Sequence, residues 1–245
     1  MAANWTGIEV CAVLFFASAI RSSLGFGEAL VSVPLLALLM PVEVAAPLAV
    51  LVSITIALVA VLQDWRHIHL RSAGRLVLFT LGGIPLGLLL LKLAPEGVVK
   101  VVLGLVIAAF SVYSLAGGKQ MKLGDDGSSW LFGFTAGILG GAYGMNGPPL
   151  AIYGSLRGWS PKQFRATLQG YFLPASLAGM CGYGIAGLWT TRVNHFYFWS
   201  LPAVVIATLL GRTINHRLHP HRFLWMVHGG LLVIGVVLMI EAIAR

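Results

Sequence analysis

The sequence predicts an all-α integral membrane protein of two inverted repeats, each a broken or re-entrant helical hairpin followed by three transmembrane helices. Three observations carry that expectation. Of 245 residues, 58% are hydrophobic and 10% charged, where a soluble domain has roughly 25% charged. Stretches such as 44–63, 127–156 and 166–191 contain no Asp, Glu, Lys or Arg, and about 20 apolar residues suffice for a helix to cross roughly 30 Å of hydrocarbon. Two apolar segments are interrupted near their middles by glycines and polar residues, and three uninterrupted segments follow each of them.

The first interrupted segment runs from Ile8 to Met40 and breaks at Arg21-Ser-Ser-Leu-Gly-Phe-Gly-Glu28. No Lys or Arg precedes it, so it lacks the positive n-region of a cleaved signal peptide and is expected to remain in the mature protein. Val44 to Gln63, Arg75 to Leu91 and Val98 to Leu115 read as intact spans and complete a first transmembrane repeat, residues 1–118. A polar linker, 119–129, carries Lys119, Lys122, Asp125 and Asp126 and is too short to be a domain. The second repeat, 130–245, opens with Trp130 to Leu156, interrupted at Gly140-Gly-Ala-Tyr-Gly-Met-Asn-Gly-Pro-Pro149. Ala166 to Leu188, His195 to Gly211 and Phe223 to Ile240 follow as intact spans. Trp5, Trp65, Trp130, Trp159 and Trp189 fall at expected span ends, where indole favours the headgroup level. Cys11 and Cys181 lie inside apolar segments and are read as packing residues, without the partners a disulfide framework or zinc site needs.

The +8 net charge is a topology signal. Its basic residues sit in short loops between spans and form no continuous patch or arm, which excludes a nucleic-acid partner. If both broken segments cross the membrane, the fifteen Lys and Arg other than Arg21 divide seven to eight between the two faces. If each folds back, eleven fall on one face (Arg66, Arg71, Arg75, Lys119, Lys122, Arg157, Lys162, Arg165, Arg212, Arg217 and Arg222). Four remain on the other, Lys92, Lys100, Arg192 and Arg245. Only the second division shows the asymmetry of the positive-inside rule. The test bears on the second break alone, because Pro41-Val42-Glu43 carries no Lys or Arg. Repeat symmetry extends it to the first, and three crossings per copy then place the copies in opposite orientations, the plan of many secondary transporters. Both termini are expected to face outward.

Irregular backbone survives at membrane depth only where it is buried in protein or lines a cavity, so the breaks are the expected site. In the second, Asn146 is placed to cap a helix whose first turn holds Pro148 or Pro149. That puts free N–H groups and the positive end of a helix dipole beside Gly144 and Gly147. In the first, Gly25 and Gly27 precede a short leg starting at about Glu28. Two N-termini converging there make an anion site, with Gly25, Gly27, Asn146, Gly147 and Pro148 as backbone cradle. Arg21 adds a full charge in a planar fork suited to carboxylate, sulfonate or sulfite oxygens. Glu28 is the structural partner of Arg21, or a proton-coupling group that exchanges a proton as the anion binds or leaves, or, less favoured, a carboxylate that merely reaches an aqueous vestibule.

Among intact spans, Ser53, Thr55, Thr167, Gln169 and Ser176 are the polar side chains available to such a site, although hydroxyls in helices often bond their own backbone. Gln169 is the best of them for direct contact, and Arg165, one turn earlier, is assigned to the basic interface. Isolated glycines such as Gly104 and Gly235 are read as close helix packing. His67, His69, His216, His219 and His221 invite a divalent-metal permease reading. They are interleaved with Arg66, Arg71, Arg217 and Arg222, so a solvated basic face is preferred over a metal site. There is no Gly-x-x-x-x-Gly-Lys-Ser/Thr loop, and no nucleophile and base pair, so neither an ATPase nor a membrane-embedded enzyme is expected, and no cofactor.

Gly25-Phe-Gly-Glu-Ala-Leu-Val-Ser-Val-Pro-Leu35 and, more specifically, Gly137-Ile-Leu-Gly-Gly-Ala-Tyr-Gly-Met-Asn-Gly-Pro-Pro-Leu-Ala-Ile-Tyr153 resemble the two glycine-rich motifs of the TauE/SafE family of sulfite and organosulfonate permeases. The resemblance extends over the whole chain. It implies a multi-pass protein of the bacterial inner membrane that moves a small sulfur-containing or carboxylate anion, such as sulfite or sulfoacetate, by alternating access and driven by a proton gradient. Its partners are then the bilayer, the anion and, as the candidate oligomer, a second copy in a homodimer. Glu28 stands where many members carry a small residue.

Overall fold

The computed structural model describes residues 2–64, 70–116, 123, 126–214 and 220–244. Every described element is an α-helix: α1 (Ala2–Leu24), α2 (Glu28–Ala37), α3 (Val42–Asp64), α4 (Leu70–Leu93), α5 (Glu96–Leu115), α6 (Ser129–Tyr143), α7 (Gly147–Leu156), α8 (Pro161–Ile185), α9 (Thr191–Ile214) and α10 (Pro220–Ala244). By length and apolarity Val42–Leu62, Ser72–Leu93, Glu96–Leu115 and Thr191–Gly211 suffice to cross a membrane. α8 is 25 residues long, or about 37 Å at 1.5 Å per residue. It is more polar because it carries Thr167, Gln169 and Ser176. Large apolar side chains such as Leu78, Leu89, Phe198, Ile206 and Val233 are exposed, whereas Arg21, Glu28, Ser53, Asn146 and Gln169 are buried. An apolar exterior around a polar centre suits a lipid solvent and would aggregate in water.

Both breaks fall where the sequence puts them, and glycine makes them. Gly25 and Gly27 have φ of 89° and 97°, and Gly144 has 67°, left-handed conformations that a Cβ disfavours. α2 and α7, ten residues each, reach only ~15 Å, half the hydrocarbon thickness. Each folds back along the helix before it. Leu123 N–H donates to Leu156 O (2.8 Å), Arg157 Nη1 donates to Leu123 O (3.0 Å) and Tyr153 Oη donates to Asp126 Oδ1 (2.7 Å). The chain before α6 and the end of α7 therefore lie side by side. In the first hairpin, Val10 and Leu14 of α1 share a core with Leu36 at the far end of α2, with Met40 just beyond it and with Ala45 at the start of α3.

Small residues set the helix pairings. α6 lies along α4 with backbones in contact: a Cβ on Gly83 would strike Phe134 O and Ile138 N, and one on Gly137 would strike Thr80 O and Gly83 Cα. Gly104 of α5 and Gly235 of α10 meet in the same way, and Gly211 of α9 meets Ala19 and Ser22 of α1. This is the small-residue packing of membrane helices. α1 pairs with α9 as α6 pairs with α4, α3 pairs with α8, and α5 pairs with α10. Exchanging α1–α5 with α6–α10 leaves these pairings unchanged. The correspondence reaches single residues. Gly25 meets Arg165 while Gly144 meets Ala46 and Val50; Gln169 bonds Gly25. Gly144 follows Gly25 by 119 residues, and the same separation relates Ala46 to Arg165 and Val50 to Gln169.

Two expectations need correcting. Cys11 is partly buried, but Cys181 is exposed, because α8 turns Leu168, Phe172, Ala175, Ser176 and Met180 inward and Cys181 lies on the outer face. Asn146 stands at the N-cap of α7 but makes no side-chain cap hydrogen bond; its amide is drawn elsewhere, as described next.

Candidate functional site

Arg21 ends α1 at the tip of the first hairpin and is 2% exposed. Its Nη1 donates to Ser53 Oγ at 2.5 Å and lies 3.4 Å from Glu28 Oε2. Nη2 donates to Gln169 Oε1 at 3.0 Å. Gln169 Nε2 in turn donates to Gly25 O (2.9 Å), so the amide locks the broken backbone to the arginine. The guanidinium carbon sits 4.6 Å from the Phe172 ring centroid, a cation–π contact that is strongest when desolvated. Ser32 Oγ donates to Glu28 Oε1 (3.2 Å), and Ser176 Oγ donates to Ser53 Oγ (3.3 Å).

The elements hold these groups for local reasons. Glu28 opens α2, where a carboxylate is favoured by the helix dipole, and Ser32 is one turn on. α8 begins at a capping box in which Ser160 Oγ accepts from Gln163 N and Gln163 Oε1 accepts from Ser160 N, with Pro161 in the first turn. That start sets the phase by which Arg165, Gln169, Phe172 and Ser176, spaced four, three and four apart, share one face. Ser53 is at the middle of α3 and Gln169 about a third of the way along α8, so the cluster lies well away from the ends of both helices. One buried atom of the guanidinium, Nε, has no hydrogen-bond partner, and neither does Thr167 Oγ1. Unsatisfied buried polar atoms are uncommon in folded proteins.

The second break adjoins the first but is neutral. Asn146 Nδ2 donates to Tyr171 Oη (3.1 Å), which is 2.7 Å from Thr80 Oγ1. Thr80 Oγ1 itself donates to Gly133 O (2.9 Å). Asn146 sits against Gly140: a Cβ there would fall 2.6 Å from Nδ2. Gly140 stands 119 residues after Arg21, and Asn146 the same number after Gly27. The first copy fills its centre from the helix before the break, and the second from the loop after it. Tyr171 and Phe172 are consecutive on α8 and pack edge to face, so the two clusters stand back to back. A Cβ on Gly147 would lie 3.6 Å from the Phe26 ring, which brings the N-terminus of α7 against the tip of the first hairpin.

Arg21, Gly25, Glu28 and Gln169 are thus in one cluster, with Gly27 in the same break and Gly147 against Phe26; Pro148 is buried in the first turn of α7. Asn146 belongs to the adjoining cluster. Ser53 and Ser176 bond across helices, whereas Thr55 bonds Leu51 O and Tyr197 Oη and faces away. Phe172, Tyr171, Thr80 and Ser32 are additions. Phe172 and Ser32 were findable at helical spacing from Gln169 and Glu28; Thr80 comes from a distant helix. Asp126 is also more than linker: it meets Arg157 (3.3 Å), Arg75 (4.0 Å) and Tyr153 at the mouth of the second hairpin. Arg165 reaches further in than a basic interface requires, since a Cβ on Gly25 would fall 2.6 Å from its Cγ. Of the loop histidines, His67, His69, His216 and His219 lie outside the described residues, as does the side chain of His221. Among the described residues no three His, Cys, Asp or Glu gather around a common point.

The profile of the sulfite exporter TauE/SafE family matches residues 10–238, nearly the whole chain and both glycine-rich breaks. The chain belongs to the TauE/SafE family. It is therefore a multi-pass membrane transport protein. It is similar to a probable sulfite/organosulfonate exporter TauE of Cupriavidus necator, with 26% identity over 211 residues, 84% of this chain and 82% of the relative. No solved structure matches it significantly. In this TauE/SafE protein the Arg21 cluster lies within the matched range.

Proposed function

We propose that this TauE/SafE protein is a secondary transporter of a small sulfur oxyanion or organosulfonate, such as sulfite or sulfoacetate, working by alternating access. The observation that carries the reading is Arg21: a guanidinium buried at the tip of a broken helix, with Nε unpartnered. The anion takes its oxygens to Arg21, within reach of Gln169 and of the N–H groups that open α2 and α7. To do so it displaces Glu28, whose carboxylate holds Nη1 at 3.4 Å. Glu28 then takes up a proton and stays neutral until the anion leaves, which couples transport to the proton gradient. Alternating access follows from two inverted repeats, 1–118 and 130–245, a division supported by the pairings that survive exchange of α1–α5 with α6–α10. A small carboxylate is the second reading, because the group seated on Arg21 is itself a carboxylate.

The test is transport in proteoliposomes with sulfite, sulfoacetate, thiosulfate, acetate and Ni²⁺ outside, comparing wild type with Arg21→Gln. Uptake of a sulfur oxyanion that Arg21→Gln abolishes supports the reading. Acetate transport alone moves the substrate to carboxylates, and Ni²⁺ transport unaffected by the substitution overturns the anion site.

A further inference from the structure

Arg165 lies on the same face of α8 as the three residues that contact the Arg21 cluster. Gln169 bonds Arg21 and Gly25, Phe172 underlies the guanidinium and Ser176 bonds Ser53. Arg165 is one turn before Gln169, toward the α8 N-terminus. Its stem packs on Gly25 so closely that any side chain there would displace it. Gly25 also has φ of 89°, so glycine meets two demands at once, the left-handed turn and the approach of the arginine. Phe26 and Phe164 flank the same spot edge to face, with centroids 5.8 Å apart. Arg165 is only partly buried, whereas Arg21 is 2% exposed. The stripe thus leads from a half-exposed cation near the face that bears Arg75 and Arg157 to a buried one at the hairpin tip.

We propose that Arg165 is a second oxyanion contact, which receives the substrate from the Arg157 face and passes it along α8 to Arg21. This rests on the oxyanion reading above. A cation near the mouth raises the local concentration of an anion. Gly25 lets its stem lie against the break, within one helical turn of Gln169. Phe26 and Phe164, neighbours of Gly25 and Arg165, would give way as the anion moves between the two arginines.

The experiment uses the full chain with Cys11→Ala and Cys181→Ala as background, adding Arg165→Cys, which is then modified with a trimethylammonium-ethyl or a sulfonato-ethyl methanethiosulfonate. Uptake of sulfoacetate into proteoliposomes is measured before and after, because sulfite itself consumes methanethiosulfonates and cleaves the mixed disulfide they form. Loss of the cation should raise the half-saturation concentration about tenfold, equivalent to ~1.4 kcal/mol, with the maximal rate less affected. The cationic reagent should restore most of the loss and the anionic one deepen it, and sulfoacetate should slow labelling. Arg165→Lys, which keeps the charge, should stay within about threefold of the background protein. Equal effects of the two reagents, or labelling indifferent to sulfoacetate in protein that still transports it, would overturn the role of Arg165 and leave the Arg21 site standing. If the background protein carries sulfite and not sulfoacetate, an unchanged half-saturation concentration for sulfite in unlabelled Arg165→Cys would overturn that role likewise. Absence of both sulfoacetate and sulfite transport in the background protein would remove the oxyanion reading and this proposal with it.

Discussion

Removing the Glu28 carboxylate would leave the Arg21 guanidinium buried without its counter-charge, and breaking a buried pair from one side costs on the order of 3–5 kcal/mol. Glu28→Gln is therefore expected to lower the melting temperature in the absence of anion. Sulfite would then supply the missing charge, so the same variant should be stabilised more by sulfite than wild type is, and its transport should no longer respond to an imposed pH gradient. Thermal melts with and without sulfite, and uptake with and without the gradient, check both halves. A purely structural Glu28 would give the first loss and retain the gradient response. Tyr171 makes a different prediction. Its hydroxyl links Asn146 to Thr80, and Tyr171→Phe leaves the buried amide of Asn146 short of a partner, costing about 1–3 kcal/mol, while sulfite affinity, set at Arg21, changes little.

At the scale of elements, the closest test is the α4–α6 seam. On one helix, α4, a Cβ at Gly83 would strike the α6 backbone, whereas at Gly74 nothing lies within 4 Å. Gly83→Ala is expected to destabilise by about 1–3 kcal/mol through overpacking. Gly74→Ala should be neutral or stabilising by up to ~1 kcal/mol, since alanine is the better helix former. Melting temperatures in detergent would separate them. At the hairpin mouth, Asp126→Asn removes the charge that Arg157 and Arg75 approach, and hydrogen exchange at the end of α7 should rise on the order of tenfold. The breaks were legible in the sequence because glycine and proline mark them locally. The Asp126 clamp was not, because it joins residues 31 and 51 positions apart that only the folded hairpin and α4 bring together. Asn146 holds the N-cap position without a side-chain cap bond for a related reason: cap preference is local, and Tyr171, supplied by α8, competes for the amide.

For the whole molecule, composition alone sufficed for a multi-pass helical protein, since charge-free stretches of this length have few other readings. The pairing of α1 with α9 and of α6 with α4 lay beyond it, because small residues recur throughout the chain and only tertiary contact says which of them meet. The proposed opposite orientation of the two repeats would place Arg75 and Arg157 on one face and Lys92 and Arg192 on the other. Single cysteines at these positions, in a chain without Cys11 and Cys181, should label from the cytoplasm in the first two cases and from outside in the others. Labelling of positions 75 and 157 from opposite sides would contradict the inverted arrangement. The central claim, that an oxyanion is held by Arg21 at the hairpin tip, is tested most directly by equilibrium binding of ³⁵S-sulfite to purified protein, wild type against Arg21→Gln. Saturable binding to the wild type that falls at least about a hundredfold in the variant is the expected result, and equal binding to both proteins would contradict it.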